Sequence, residues 1–190
     1  MSEDGFHVHG PHDHAVESAS EHGDSFAGRI AVMTAIFATI GAIFGYMGGA
    51  TQNDALLYKN DAAIKKTEAS DQWNFYQAKS SKQNLAELGA TLATGDVVDK
   101  YQKEVERYKK EKEEIKTQAE KFEAASKEAE AKSEASMHVH HRWAQSMTLI
   151  QIAIALAAIT ILTRNKGLMY GAYTAAGIAL ILGALAGLHI

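Results

Sequence analysis

The stretch Ile30–Asn53, IAVMTAIFATIGAIFGYMGGATQN, contains no charged side chain. Two later stretches share that property: Trp143–Thr163, WAQSMTLIQIAIALAAITILT, and Gly167–Leu188, GLMYGAYTAAGIALILGALAGL. About 20 residues of helix cross a hydrocarbon core of about 30 Å, and each run is that long. Helix is the only conformation open to such a run in lipid, where every unpaired backbone amide costs several kcal/mol. The chain is 46% hydrophobic, yet its mean hydropathy is −0.19. Both figures hold only if apolar and polar residues are segregated along it. The segregation predicts an all-α membrane protein with three transmembrane helices, at 26–50, 143–163 and 167–189. An acidic leader and an apolar run longer than the 7–15 residues of a signal core make the first of these an anchor, not a signal peptide.

Between the first two spans the composition reverses. Residues 51–142 hold 16 Lys or Arg and 17 Asp or Glu. That segment is dense in charge but close to neutral, which argues against nucleic acid as a partner. A heptad seam runs through Val98, Tyr101, Val105, Tyr108, Lys112, Ile115, Ala119, Phe122, Ser126, Ala129, Ser133, Ser136 and His140, in alternating steps of three and four. Upstream, Leu57, Asn60, Ile64, Thr67, Asp71, Asn74, Ala78, Ser81, Leu85, Leu88 and Leu92 make a second. This is the coiled-coil period. The two meet near 94–96, at Thr94-Gly95-Asp96, where Gly can end one helix and Asp can open the next. The spacing predicts a long antiparallel helical (coiled-coil) hairpin over 51–142, with Leu85, Leu88 and Leu92 facing Val98, Tyr101 and Val105. Asp71 and Asn74 put polar groups into that seam. Trp73, Tyr76 and Lys79 fall outside it. These five are the expected contact residues of the hairpin, on the argument that exposed aromatics on a charged helix anchor a partner.

Two stripes of small residues stand out in the spans. Gly41, Gly45 and Gly49 lie four apart in the first, and Gly171, Ala175, Ala179, Gly183 and Gly187 four apart in the third. Small stripes let helix backbones approach closely in lipid, and here they predict a homo-oligomer packed through these faces.

Histidine offers the one route to metal chemistry. The polar tail 1–25 has His7, His9, His12 and His14 within eight residues, and six acids but no Lys or Arg precede Arg29. Neutral imidazoles so placed suit zinc, nickel or copper. A second group is His138 and His141, three apart on one helical face, with His189 expected at the same membrane surface. A divalent transition metal is the cofactor these sets would take, although none is expected to be required. The absence of cysteine excludes disulfides, Fe–S clusters and thiolate metal sites. No phosphate loop, nucleophile triad or paired catalytic carboxylates are present, so no enzymatic activity is expected. The spans hold no ionisable group except His189, against a pump or proton-coupled transporter.

The segments SDQWNFYQAKSSK (70–82) and MTLIQIAIALAAITILTRNK (147–166), with YQKEVERYKKEKEEI (101–115) and the His-rich leader, resemble a family of small bacterial membrane proteins known only as a domain of unknown function, number four-three-three-seven. The resemblance covers nearly the whole chain. It implies the same architecture of one membrane helix, a helical hydrophilic region and two further membrane helices. It implies no activity.

Sidedness follows from charge. The loop Thr163–Gly167 carries Arg164 and Lys166 and no acid, which marks it as cytoplasmic, while long loops cross largely regardless of charge. The expectation is a multi-pass protein of the bacterial inner (plasma) membrane, with a cytoplasmic N-terminus and a periplasmic hairpin. Its partners would be the lipid bilayer, further copies of itself and another membrane or periplasmic protein. A non-enzymatic scaffold or docking protein is the favoured role, and a His-rich metal-binding accessory protein the alternative.

Overall fold

The computed structural model of the protein describes residues 25–188. Among them every regular element is helical: α1 (Ser25–Leu92), α2 (Asp96–Thr163) and α3 (Lys166–Gly187). All three are long and apolar enough to cross a membrane. α1 and α2 run 68 residues each, so positions 50/51 and 142/143 mark changes of composition and not ends of helices. Neither helix contains proline, the one residue whose interior cost of about 3 kcal/mol reliably breaks a helix. The residues form two compact units. One gathers the chain up to Asn53 with the chain from Ser136, and the other is Asp54–Ala135.

The two turns use different devices. Between α1 and α2, Gly95 takes φ +66°, a left-handed conformation that costs glycine nothing. Asp96 and Asp99 then occupy the first turn of α2, where the helix dipole favours negative charge. Between α2 and α3, Arg164 takes φ 54° and its amide donates to the Thr160 carbonyl at 2.9 Å. Asn165 then caps α3, its Oδ1 accepting from the Gly167 amide at 2.8 Å.

In the apolar unit, large side chains of α1 and α2 pack against a face of α3 made of Ala172, Ala176, Ala179, Gly183 and Ala186. Phe44 sits 5.5 Å from Trp143 between ring centroids, and Phe37 meets Tyr173 edge-on at 6.5 Å. Thr34, Ser146 and Thr160 satisfy their buried hydroxyls on carbonyls four residues back. Trp143 lies in this core, 6% exposed.

In the charged unit, residues of α1 meet residues of α2 in reverse order. Ser126 Oγ donates to the Ala62 carbonyl, and Ser133 Oγ to the Ala55 carbonyl, both at 2.8 Å. Lys59 pairs with Glu130 at 2.7 Å. A side-chain hydroxyl reaches a backbone carbonyl of the opposite helix only where no bulky residue intervenes, and alanine meets that need at both places. On α2, Val105, Ala119, Ser126, Ala129 and Ser133 are buried.

On α1 the seam differs. Ala55, Ala62, Ala69 and Ala86 are buried, while Leu57, Ile64, Leu85, Leu88 and Leu92 are exposed. The inner face is therefore displaced by two residues from the expected one, and the leucines do not face Tyr101. Gly89 does: a Cβ there would stand 2.8 Å from the Tyr101 ring. Size is the reason. α2 sets the Tyr101 ring against Gly89, and Ser126 and Ser133 against Ala62 and Ala55, so small side chains take the inner face of α1.

Candidate functional site

Of the five contact residues expected on α1, three turn towards α2. Trp73 Nε1 donates to Glu123 Oε1 at 2.8 Å, and the Trp73 and Tyr76 rings meet edge-on at 5.6 Å. Lys112 lies over Tyr76 at 4.9 Å. Lys79 pairs with Glu111 at 2.5 Å and lies 5.6 Å from the Tyr108 ring centroid. Tyr76 and Lys79 thus belong to the inner seam, a correction to their expected place outside it, which follows from the two-residue displacement. Asp71 and Asn74 are exposed on the other side of the helix. The hydrogen bond from Lys79, with the nearby charges of Arg107 and Lys82, holds the Glu111 carboxyl below the usual carboxylate range. Lys59 does the same to Glu130, again chiefly by hydrogen bonding. Solvated pairs of this kind contribute little each. Their use is in fixing register.

The histidines separate. His138 and His141 are exposed. His140 is half-buried, its Nδ1 at 2.8 Å from the Gly48 carbonyl. No three His, Asp or Glu among the described residues are placed to hold a metal ion. His7, His9, His12, His14 and His189 lie outside the described residues.

Most of the small residues singled out in the spans pack inside one chain. A Cβ at Gly41 would stand 2.8 Å from Ile150 Cγ2, and one at Gly183 would stand 2.7 Å from Phe44 Cζ. Gly45 faces Met147 at 3.4 Å, Gly171 faces Leu156 at 3.6 Å and Gly187 faces Trp143 at 3.9 Å. Gly49 meets nothing within 4 Å. Ala179 is buried and Ala175 half-buried.

A cleft of about 580 Å³ remains open beside this packing. Ala38, Gly41, Ala42 and Gly45 of α1 form one wall, and Met147, Gln151 and Ile154 of α2 form much of the other. Gln151 is the feature that sequence reading passed over. Its side chain is exposed and its Nε2 lies 3.6 Å from the Cβ position of Gly41. Its amide makes no hydrogen bond to any described residue. The signal was an amide near the middle of an uncharged 21-residue run whose one other amide, Gln145, lies at its start.

Among the described residues the chain is all-α, and its three helices are long and apolar enough to cross a membrane, consistent with a multi-pass membrane protein. The chain matches the family described as Domain of unknown function (DUF4337) over residues 26–189, and belongs to it. No curated protein and no solved structure matches the chain.

Proposed function

We propose that this protein is a non-enzymatic membrane scaffold that self-associates within the bilayer and displays an antiparallel coiled-coil hairpin, residues 51–142, to other membrane or periplasmic proteins. The observation that carries self-association is Gln151. In water an exposed glutamine is unremarkable. In hydrocarbon, an amide without a hydrogen-bond partner costs roughly 2–7 kcal/mol, and it stands here beside a wall of glycine and alanine that admits a second helix. An amide is both donor and acceptor, so the same glutamine of another copy satisfies it. Interhelical bonds of this kind contribute about 0.6–2 kcal/mol net, enough to bias an association that close packing already favours.

Replacing Gln151 by Leu fills the same volume without the amide. The variant should shift from oligomer to monomer when mass is measured in native-lipid nanodiscs. A wild-type protein that is itself monomeric there would overturn the reading.

Arg164 and Lys166, in a turn with no acid, support a cytoplasmic N-terminus and a periplasmic hairpin, in the inner membrane of a bacterium. A reporter placed in the 163–167 turn should then be cytoplasmic and one after Ile190 periplasmic. The opposite labelling would reverse the orientation.

A further inference from the structure

We propose that the outer face of α1 in the charged unit is a second coiled-coil seam, which pairs in parallel with the same face of a second copy of this chain. The inference rests on the self-association reading and adds to it a surface outside the membrane. Leu57, Ile64, Leu85, Leu88 and Leu92 are between 48% and 77% exposed. In the apolar unit, exposed residues such as Val32, Ile36 and Leu162 meet lipid, and their exposure is expected. No lipid solvates a segment with 16 basic and 17 acidic residues, so the leucines there are left in water.

Their spacing says what they await. With Asn60, Thr67, Asp71, Asn74, Ala78 and Ser81 they repeat in steps of three and four, a period that fits another helix and neither a flat surface nor a small ligand. The face lies about 150° around α1 from Ala55, Ala62 and Ala69, at 100° per residue. α2 already covers the alanine side, so it cannot also reach this one.

The chemistry of the face selects the occupant. It carries one charge, Asp71, amid a unit crowded with charges, so it offers no electrostatic address to a foreign partner. Its polar members are amides and hydroxyls, which are donors and acceptors at once and match their own kind. Asparagine within a heptad seam is a recognised device for fixing register. Two copies in one bilayer, related by a two-fold axis along its normal, place every residue opposite itself. Leucine then meets leucine and asparagine meets asparagine, with no search for register. Asp71 opposite Asp71 is the one unfavourable pair.

The natural chain has no cysteine, which makes the test direct. In the full-length protein in native-lipid nanodiscs, Leu88→Cys should form an interchain disulfide on oxidation at least about tenfold faster than Thr117→Cys on the far face of α2, because a seam raises the local concentration of paired thiols. Adding Asp71→Asn should increase the linked fraction further, by removing the one repulsion. Equal rates at the two positions in particles whose mass is still that of an oligomer would overturn the seam and leave self-association standing. So would linkage only between mixed Leu57→Cys and Leu92→Cys chains, the mark of antiparallel pairing. Monomeric particles would overturn both.

Discussion

Replacing Ala119 by leucine should unfold the charged unit, whereas replacing Leu85 by alanine should leave its fold standing. Ala119 is fully buried and Leu85 is 67% exposed. Around Ala119 the two helices are held close by Ser126 on the Ala62 carbonyl and, one heptad further, Ser133 on the Ala55 carbonyl. A leucine there has no space unless the helices separate, and separation stretches those 2.8 Å contacts beyond hydrogen-bonding range. Overpacking alone costs about 1–3 kcal/mol. Two buried hydroxyls that lose their partners add about 1–3 kcal/mol each. An exposed Leu→Ala change lies within about 0.5 kcal/mol for folding. Thermal melts followed by helical circular dichroism compare the two variants. Equal melting points would mean that the alanine seam is not the core of the unit.

Gly183→Leu should disrupt the membrane core to a similar degree, and Phe44→Ala should restore part of the loss. The Cβ of any residue at 183 would overlap the Phe44 ring at 2.7 Å and crowd Trp143 at 3.4 Å. Neither ring has room to retreat, since Phe44 and Trp143 pack on each other at 5.5 Å and both are buried. Removing the Phe44 ring opens the volume the leucine needs. The double variant should therefore be more stable than the sum of the single losses, by about 0.5–3 kcal/mol of coupling. Protease protection in nanodiscs reports it. Strictly additive losses would show that Gly183 and Phe44 do not share one space.

Much of this architecture is written openly in the chain. The uncharged runs mark the spans because bilayer thickness admits few alternatives, and Gly95 marks its turn because glycine alone takes that conformation without strain. On α2 Val105 and Phe122 are equally legible, since each has a charged neighbour on either side. The seam of α1 misleads because that arm carries two heptads, two residues apart. A reading by hydrophobicity selects Leu57, Ile64 and Leu85. The inner face is instead Ala55, Ala62 and Ala69, and at the first two the small side chain lets Ser133 and Ser126 reach the backbone carbonyl. A signal for it does exist. Ile30, Thr34, Phe37, Gly41, Phe44 and Gly48 are buried along α1, and because the helix does not break, the same steps of four and three lead to Thr51 and Ala55. The glycine stripes were visible as packing faces, but a stripe carries no mark of whether its partner is in the same chain. Gln151 escaped notice because a single amide scarcely alters a hydropathy average.

The serine contacts have a consequence for how the arms can vary in length among members of the family. Ser126 and Ser133 are seven apart, as are Ala62 and Ala55, and each serine needs a carbonyl of the other helix at the same level. An insertion of one residue in either arm turns every later position by about 100° and brings a charged side chain where alanine stood. Seven residues added to one arm restore the face but leave the other arm short. The arms can therefore grow or shrink only in whole heptads and in both at once. Alignment of arm lengths across the family is the place to see it, as steps of seven on each side of the glycine turn.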